Sequence, residues 1–98
     1  MKTGIELIAE ERQEQLSKHN YTVQQDVIYN SGIEKPLTKA AAALTIEYGN
    51  GLAAQTMKPT NWDEEYWNKM MEKPYKERLI IAGALIAAEI DRLQKTEN

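Results

Sequence analysis

The chain has 98 residues, enough for one domain in which roughly 60–65% of the unfolded surface can be buried. Its 42% hydrophobic and 28% charged content is ordinary for a globular protein, and its net charge of -3 excludes broad nucleic-acid binding, which needs a concentrated basic face. Cysteine does not occur, so disulfides, thiolate metal sites and cysteine nucleophiles are excluded, and a reducing cytoplasm is the expected compartment.

The first predicted helix runs from about Gly4 to Lys18. Thr3 and Glu6 have the Thr-x-x-Glu spacing of a capping box, each side chain bonding the other's backbone N–H. Ile5, Ile8, Ala9, Arg12 and Leu16 recur at helical spacing and make the expected buried stripe. Glu10, Glu14 and Lys18 fall on the solvated side. Acids stand where a signal peptide needs an apolar stretch, so no secretion signal is expected.

Asn20 to Lys35 reads as a long connection. Asn20 suits a left-handed cap, and Asn30-Ser31-Gly32 is a turn signal. Tyr21, Val23, Val27, Ile28 and Tyr29 are too apolar for a free loop, so a short packed helical turn is expected after Asp26. The second helix is expected from Pro36 to Tyr48, with Pro36 at the first helical position and Gly49 just past the end. Leu37, Ala40, Ala41, Leu44 and Tyr48 form its buried face. Leu52 to Thr60 fits either a helical turn or an extended connection.

The third helix is expected to start with Thr60 or Asn61 as N-cap. Asp63, Glu64 and Glu65 then sit at the positive end of the helix dipole. Pro74 cannot lie inside a helix and is expected to open the fourth, which runs to about Gln94. Leu79 to Ala88 is apolar on nearly every side, which makes this helix the expected central post. The run is too short to span a bilayer, which takes about 20 residues. The predicted fold is all-α: about four helices around a central C-terminal helix, with long packed connections, in one domain over 1–98.

Four residues are candidate binding residues: Glu11, Arg12, Asp26 and Glu89. Arg12 interrupts the apolar stripe of the first helix, and Glu89 is its counterpart on the last, grouped with Leu85, Ile86 and Leu93. Two charges on core-facing stripes are costly apart, so a cross-helix Arg12–Glu89 ion pair is expected; solvated edge positions and a ligand site are the alternatives. Glu11 lies at the edge of the same stripe. Glu6, Glu10 and Glu14 follow at the four-residue spacing that suits Mg²⁺, but a solvated face with a capping box accounts for them. His19 stands alone, so a histidine metal site cannot be completed. Ser17 and Ser31 lack nucleophile context, and the glycines form no phosphate loop. No catalytic residue, metal ligand or cofactor is assigned.

Trp62, Tyr66, Trp67, Met70 and Met71 cover more than one face of the third helix. Core filling is the first reading, a contact between copies of the chain the second, and a stacking platform for a base the third. Because this apolar surface exceeds what one thin core absorbs, a homo-oligomer is expected, with an unidentified protein partner as a further option.

Glu10-Glu11-Arg12-Gln13-Glu14-Gln15, followed by Tyr21-Thr22, resembles the opening of small proteins encoded by phages and prophages. Their close, a Trp-rich segment and an Ala-Gly-Ala-Leu-Ile-Ala-Ala-Glu-Ile-Asp-Arg-Leu helix, is similar to Trp62–Trp67 and Ala82–Leu93. That resemblance implies a helical accessory or interaction protein without a settled biochemical activity. Family members often carry a His/Asp-rich stretch after the aromatic-Thr; here it reads Gln24-Gln25-Asp26-Val27-Ile28-Tyr29, and only Asp26 remains. A weaker likeness joins Glu10–Gln15 to the first helix of all-α nucleotide pyrophosphohydrolases, which bind Mg²⁺ through paired Glu-x-x-Glu helices. The expected second helix offers Glu47 alone, so a nucleotide-binding or Mg²⁺-dependent pyrophosphohydrolase is the alternative reading.

Overall fold

The structure is a computed structural model that describes residues 1–18, 35–46, 56–59 and 62–96. Four α-helices follow one another: α1 (Gly4–Lys18), α2 (Pro36–Leu44), α3 (Glu64–Met71) and α4 (Tyr75–Thr96). The described residues contain no strand, and the fold is all-α. The connection expected at Asn20–Lys35, with Asp26 and His19, lies outside the described residues apart from Lys35.

Local chemistry sets each helix end. The Thr3 backbone N–H donates to the Glu6 carboxylate at 2.9 Å and the Glu6 N–H to the Thr3 hydroxyl at 3.2 Å, closing the expected box. α2 begins at Pro36 after Lys35, which takes the left-handed conformation at φ 54°. It ends at Leu44, four residues before the expected Tyr48. Its last carbonyls find partners early: the Thr45 N–H bonds Ala41, and the Thr45 hydroxyl bonds Ala42 at 2.7 Å. The buried Arg78 guanidinium then donates to the carbonyls of Leu44 and Ile46 from α4. A cation on the negative end of a helix is favourable, and here it substitutes for a glycine cap. The N-cap of α3 is Asp63 rather than Thr60 or Asn61: its carboxylate accepts the Tyr66 N–H at 2.8 Å. The Pro74 carbonyl accepts from Arg78 N–H, so Pro74 stands immediately before α4.

The core joins α2, α3 and α4. Leu37, Ala40, Ala41, Ala43 and Leu44 of α2 pack with Trp67, Met70 and Met71 of α3 and with Ile81, Ala82, Leu85 and Ala88 of α4. The alanines let α2 lie close on α4, and Trp67 fills the largest volume. Trp62 meets Trp67 edge-on, with centroids 6.2 Å apart and planes at 70°, a favoured aromatic geometry.

α1 packs on a second side of α4. Its buried positions are Arg12 and Gln15, with Leu7, Ile8, Glu11 and Leu16 half-buried. The expected stripe is therefore turned: Ile5 and Ala9 face outward, and polar Gln15 faces inward. The cause is the crossing at Gly83. A Cβ there would stand 2.5 Å from Ile8 Cδ1 and 2.8 Å from Cγ1, so Ile8 occupies the space a side chain would need.

Gly83→Ala should therefore lower stability, because overpacking of about 1–3 kcal/mol outweighs a gain in helix propensity of about 1 kcal/mol. In an Ile8→Ala background the same change should raise stability. Urea unfolding of the four proteins measures both signs, and the same sign in both backgrounds refutes the close approach.

The box also has a pH signature. Glu6 is held below its usual range, first by the Thr3 backbone N–H and second by the Thr3 hydroxyl. A lowered folded-state pKa means that this support is present above the ordinary glutamate range and is lost as pH falls through the lowered value. Amide exchange in the first turn of α1 should quicken relative to the core over that acidic window, and Glu6→Gln should abolish the dependence.

Candidate functional site

Four polar side chains are buried on α1 and the C-terminal half of α4: Arg12, Gln15, Glu89 and Arg92. Seven-residue spacing explains the α4 members. Arg78, Leu85 and Arg92 lie two turns apart on one side of the helix, and Glu89 falls one turn before Arg92. A charge on a core-facing stripe must be neutralised in place.

Glu89 and Arg92 do this within α4. Arg92 Nε donates to Glu89 Oε1 at 2.6 Å and Nη2 to Oε2 at 2.9 Å, a two-bond fork. Through those bonds Glu89 raises the Arg92 pKa, the hydrogen bonding outweighing the opposing effect of burial. Arg12 reaches from α1 to Asp91, its Nη2 donating to Oδ2 at 3.3 Å. The expected Arg12–Glu89 pair is thus corrected: each charge is paired, but with a different partner. The reason is geometric. Arg92 is one turn from Glu89 on the same rigid helix, so its fork closes without ordering a second element, while Asp91 faces the side on which α1 lies.

Glu89 is also regrouped. It shares its side with Leu85 and Arg92, whereas Ile86 and Leu93 face outward. Of the other candidates, Glu11 is half-buried on α1 beside Arg12, and Asp26 lies outside the described residues. Glu10 is exposed and bridges to Lys2. Among the described residues no three His, Asp or Glu side chains converge as a metal ion requires. The cluster holds two arginines and two carboxylates, so its formal charges balance.

Sequence reasoning missed Arg78, Asp91, Arg92 and Gln15. For Glu89–Arg92 the signal was their three-residue spacing. For Arg78 it was the seven-residue step to Leu85. Besides the α2 carbonyls, Arg78 Nε donates to the Lys73 carbonyl at 3.0 Å, and the guanidinium lies 5.3 Å from the Tyr75 ring centre. One side chain thereby ties the end of α2 to the turn before α4.

Of the five residues expected to form a contact surface on α3, Trp67, Met70 and Met71 are buried in the core. Trp62 is half-buried and Tyr66 is exposed. The helix is short, and Asp63 starts it late enough to turn Trp67, Met70 and Met71 together onto α2 and α4. Trp67 Nε1 is buried with no hydrogen-bond partner among the described residues. The exposed apolar surface lies on α4 instead: Tyr75, Leu79, Ile86, Ile90 and Leu93 are each between 40% and 51% exposed.

Comparison with protein-family models, with curated proteins and with solved structures finds no match to this chain. Among the described residues no helix is long and apolar enough to cross a membrane.

Glu89→Ala should cost about 3–5 kcal/mol, because it strands the buried Arg92. Replacing both residues with leucine should cost far less than the sum of the single changes. Arg12→Met should couple only weakly to Glu89→Ala. A double-mutant cycle in urea checks each term; additive Glu89 and Arg92 effects contradict the fork.

Proposed function

We propose that this chain is a small helical accessory or interaction protein of phage or prophage type, non-enzymatic and self-associating. The observation that carries the interaction reading is the outward apolar surface of α4. Tyr75, Leu79, Ile86, Ile90 and Leu93 are large side chains held half in water on a helix whose other sides are packed. Exposed apolar surface gathered on one element marks a contact. The charges of this region are engaged within the chain: Arg12 with Asp91 between α1 and α4, and Glu89 with Arg92 within α4. The phage-type part of the proposal rests on the likeness of Glu10–Gln15 and Ala82–Leu93 to such proteins.

Light scattering at tens of micromolar should give at least twice the 11.2 kDa of one chain. Ile90→Glu should return the mass to one chain with helical circular dichroism unchanged, since Ile90 lies outside the core. An unaltered chain that scatters as a monomer overturns self-association. Mg²⁺-dependent release of pyrophosphate from a nucleoside triphosphate, lost in Glu10→Gln or Glu11→Gln, replaces this reading with nucleotide hydrolysis.

A further inference from the structure

We propose that two copies of this chain pair through α4, antiparallel, about a two-fold axis passing at Ile86. The proposal rests on the self-association reading and specifies its geometry.

The outward side of α4 is a line. Leu79, Ile86, Ile90 and Leu93 follow at spacings of seven, four and three, heptad positions that keep one seam facing a partner helix. Tyr75 prolongs it by one turn. From Tyr75 to Leu93 the seam is about 27 Å long at 1.5 Å per residue, and no charged side chain interrupts it. Ile8 covers Gly83 from α1, and Ile5, one turn earlier on the same side of α1, is 83% exposed. These six half-exposed or exposed apolar side chains offer on the order of 600 Å² per copy, close to the ~800 Å² that each side of a standard interface contributes. A second copy supplies that area; a lone short peptide does not.

The register names the occupant. Leu79 and Leu93 each stand seven residues from Ile86, so the Leu–Ile–Leu line reads the same in both directions. A surface that is its own reversed complement is what a two-fold contact requires. With Ile86 on the axis, Leu79 of one copy meets Leu93 of the other. Ile90 is the most exposed member of the seam. Antiparallel pairing also opposes the two helix dipoles.

The chain contains no cysteine, so single cysteines report the register without background. Ile86→Cys, Leu79→Cys and Leu93→Cys proteins are each oxidised with glutathione disulfide, alone and in a Leu79→Cys plus Leu93→Cys mixture. The expected result is a covalent dimer with Ile86→Cys alone and with the mixture, and little with either leucine position alone. Circular dichroism of each variant confirms that it is folded. Cross-linking of all three single variants indicates a parallel seam and overturns this geometry while leaving self-association standing. Cross-linking of none, with dimeric mass, moves the contact off α4. Monomeric mass overturns both proposals.

Discussion

The structure depends on one constraint: a 22-residue helix whose middle, Leu79 to Ala88, is apolar on nearly every side and must be covered by its neighbours. α4 divides into three sectors. Arg78, Ile81, Ala82, Leu85, Ala88, Glu89 and Arg92 are buried, the four apolar ones in the core with α2 and α3. Gly83 and Asp91 meet Ile8 and Arg12 of α1. Tyr75, Leu79, Ile86, Ile90 and Leu93 form the third sector, open to solvent. Burying one such side chain is worth about 1.5–3 kcal/mol, so leaving five half-exposed on one helix forgoes several kcal/mol unless a partner covers them. The open sector is thus the physical link between how the chain folds and the role proposed for it.

The buried charges sit at the two ends of the core-facing stripe, with the apolar contacts between them. At the N-terminal end, Arg78 satisfies carbonyls at the end of α2 and at the turn before α4. At the C-terminal end, Glu89 and Arg92 neutralise each other within α4, and Arg12 of α1 bridges to Asp91. Charges at these places hold helix ends and fix the rotation of neighbouring helices. They cost desolvation, which only full pairing offsets, so each single replacement should be far more damaging than a matched double replacement. Engaged in this way, the carboxylates position structure, and the surface left for recognition is apolar.

Much of this was legible in residue order. Helix existence came from local signals: the Thr3–Glu6 box, Pro36 at the start of α2, Pro74 before α4, and the apolar periodicity of α4. Those signals act within one or two turns, so no tertiary contact had to be known. The end of α2 was not legible, because its carbonyls are satisfied by Arg78, 34 residues ahead of Leu44 in the chain. The start of α3 was ambiguous because Thr60, Asn61 and Asp63 are all good caps and only packing of Trp67 selects among them.

The candidate site shows the same division. Sequence by itself determined that Arg12 and Glu89 stand on core-facing positions and must be neutralised, because helical spacing and the cost of a buried charge are local and general. It also determined that α4 is the element on which the other helices pack. Only the tertiary structure decided which carboxylate of α4 Arg12 meets, since Glu89 and Asp91 both stand near the end of that helix and the choice turns on the rotation of α1. That rotation is set by Ile8 seated over Gly83. The same contact decided that Ile5 faces water and Gln15 does not, and which sector of α4 remains open. A helix apolar on every side carries no instruction about which side its neighbours will leave uncovered; that follows from where a glycine lets another helix approach.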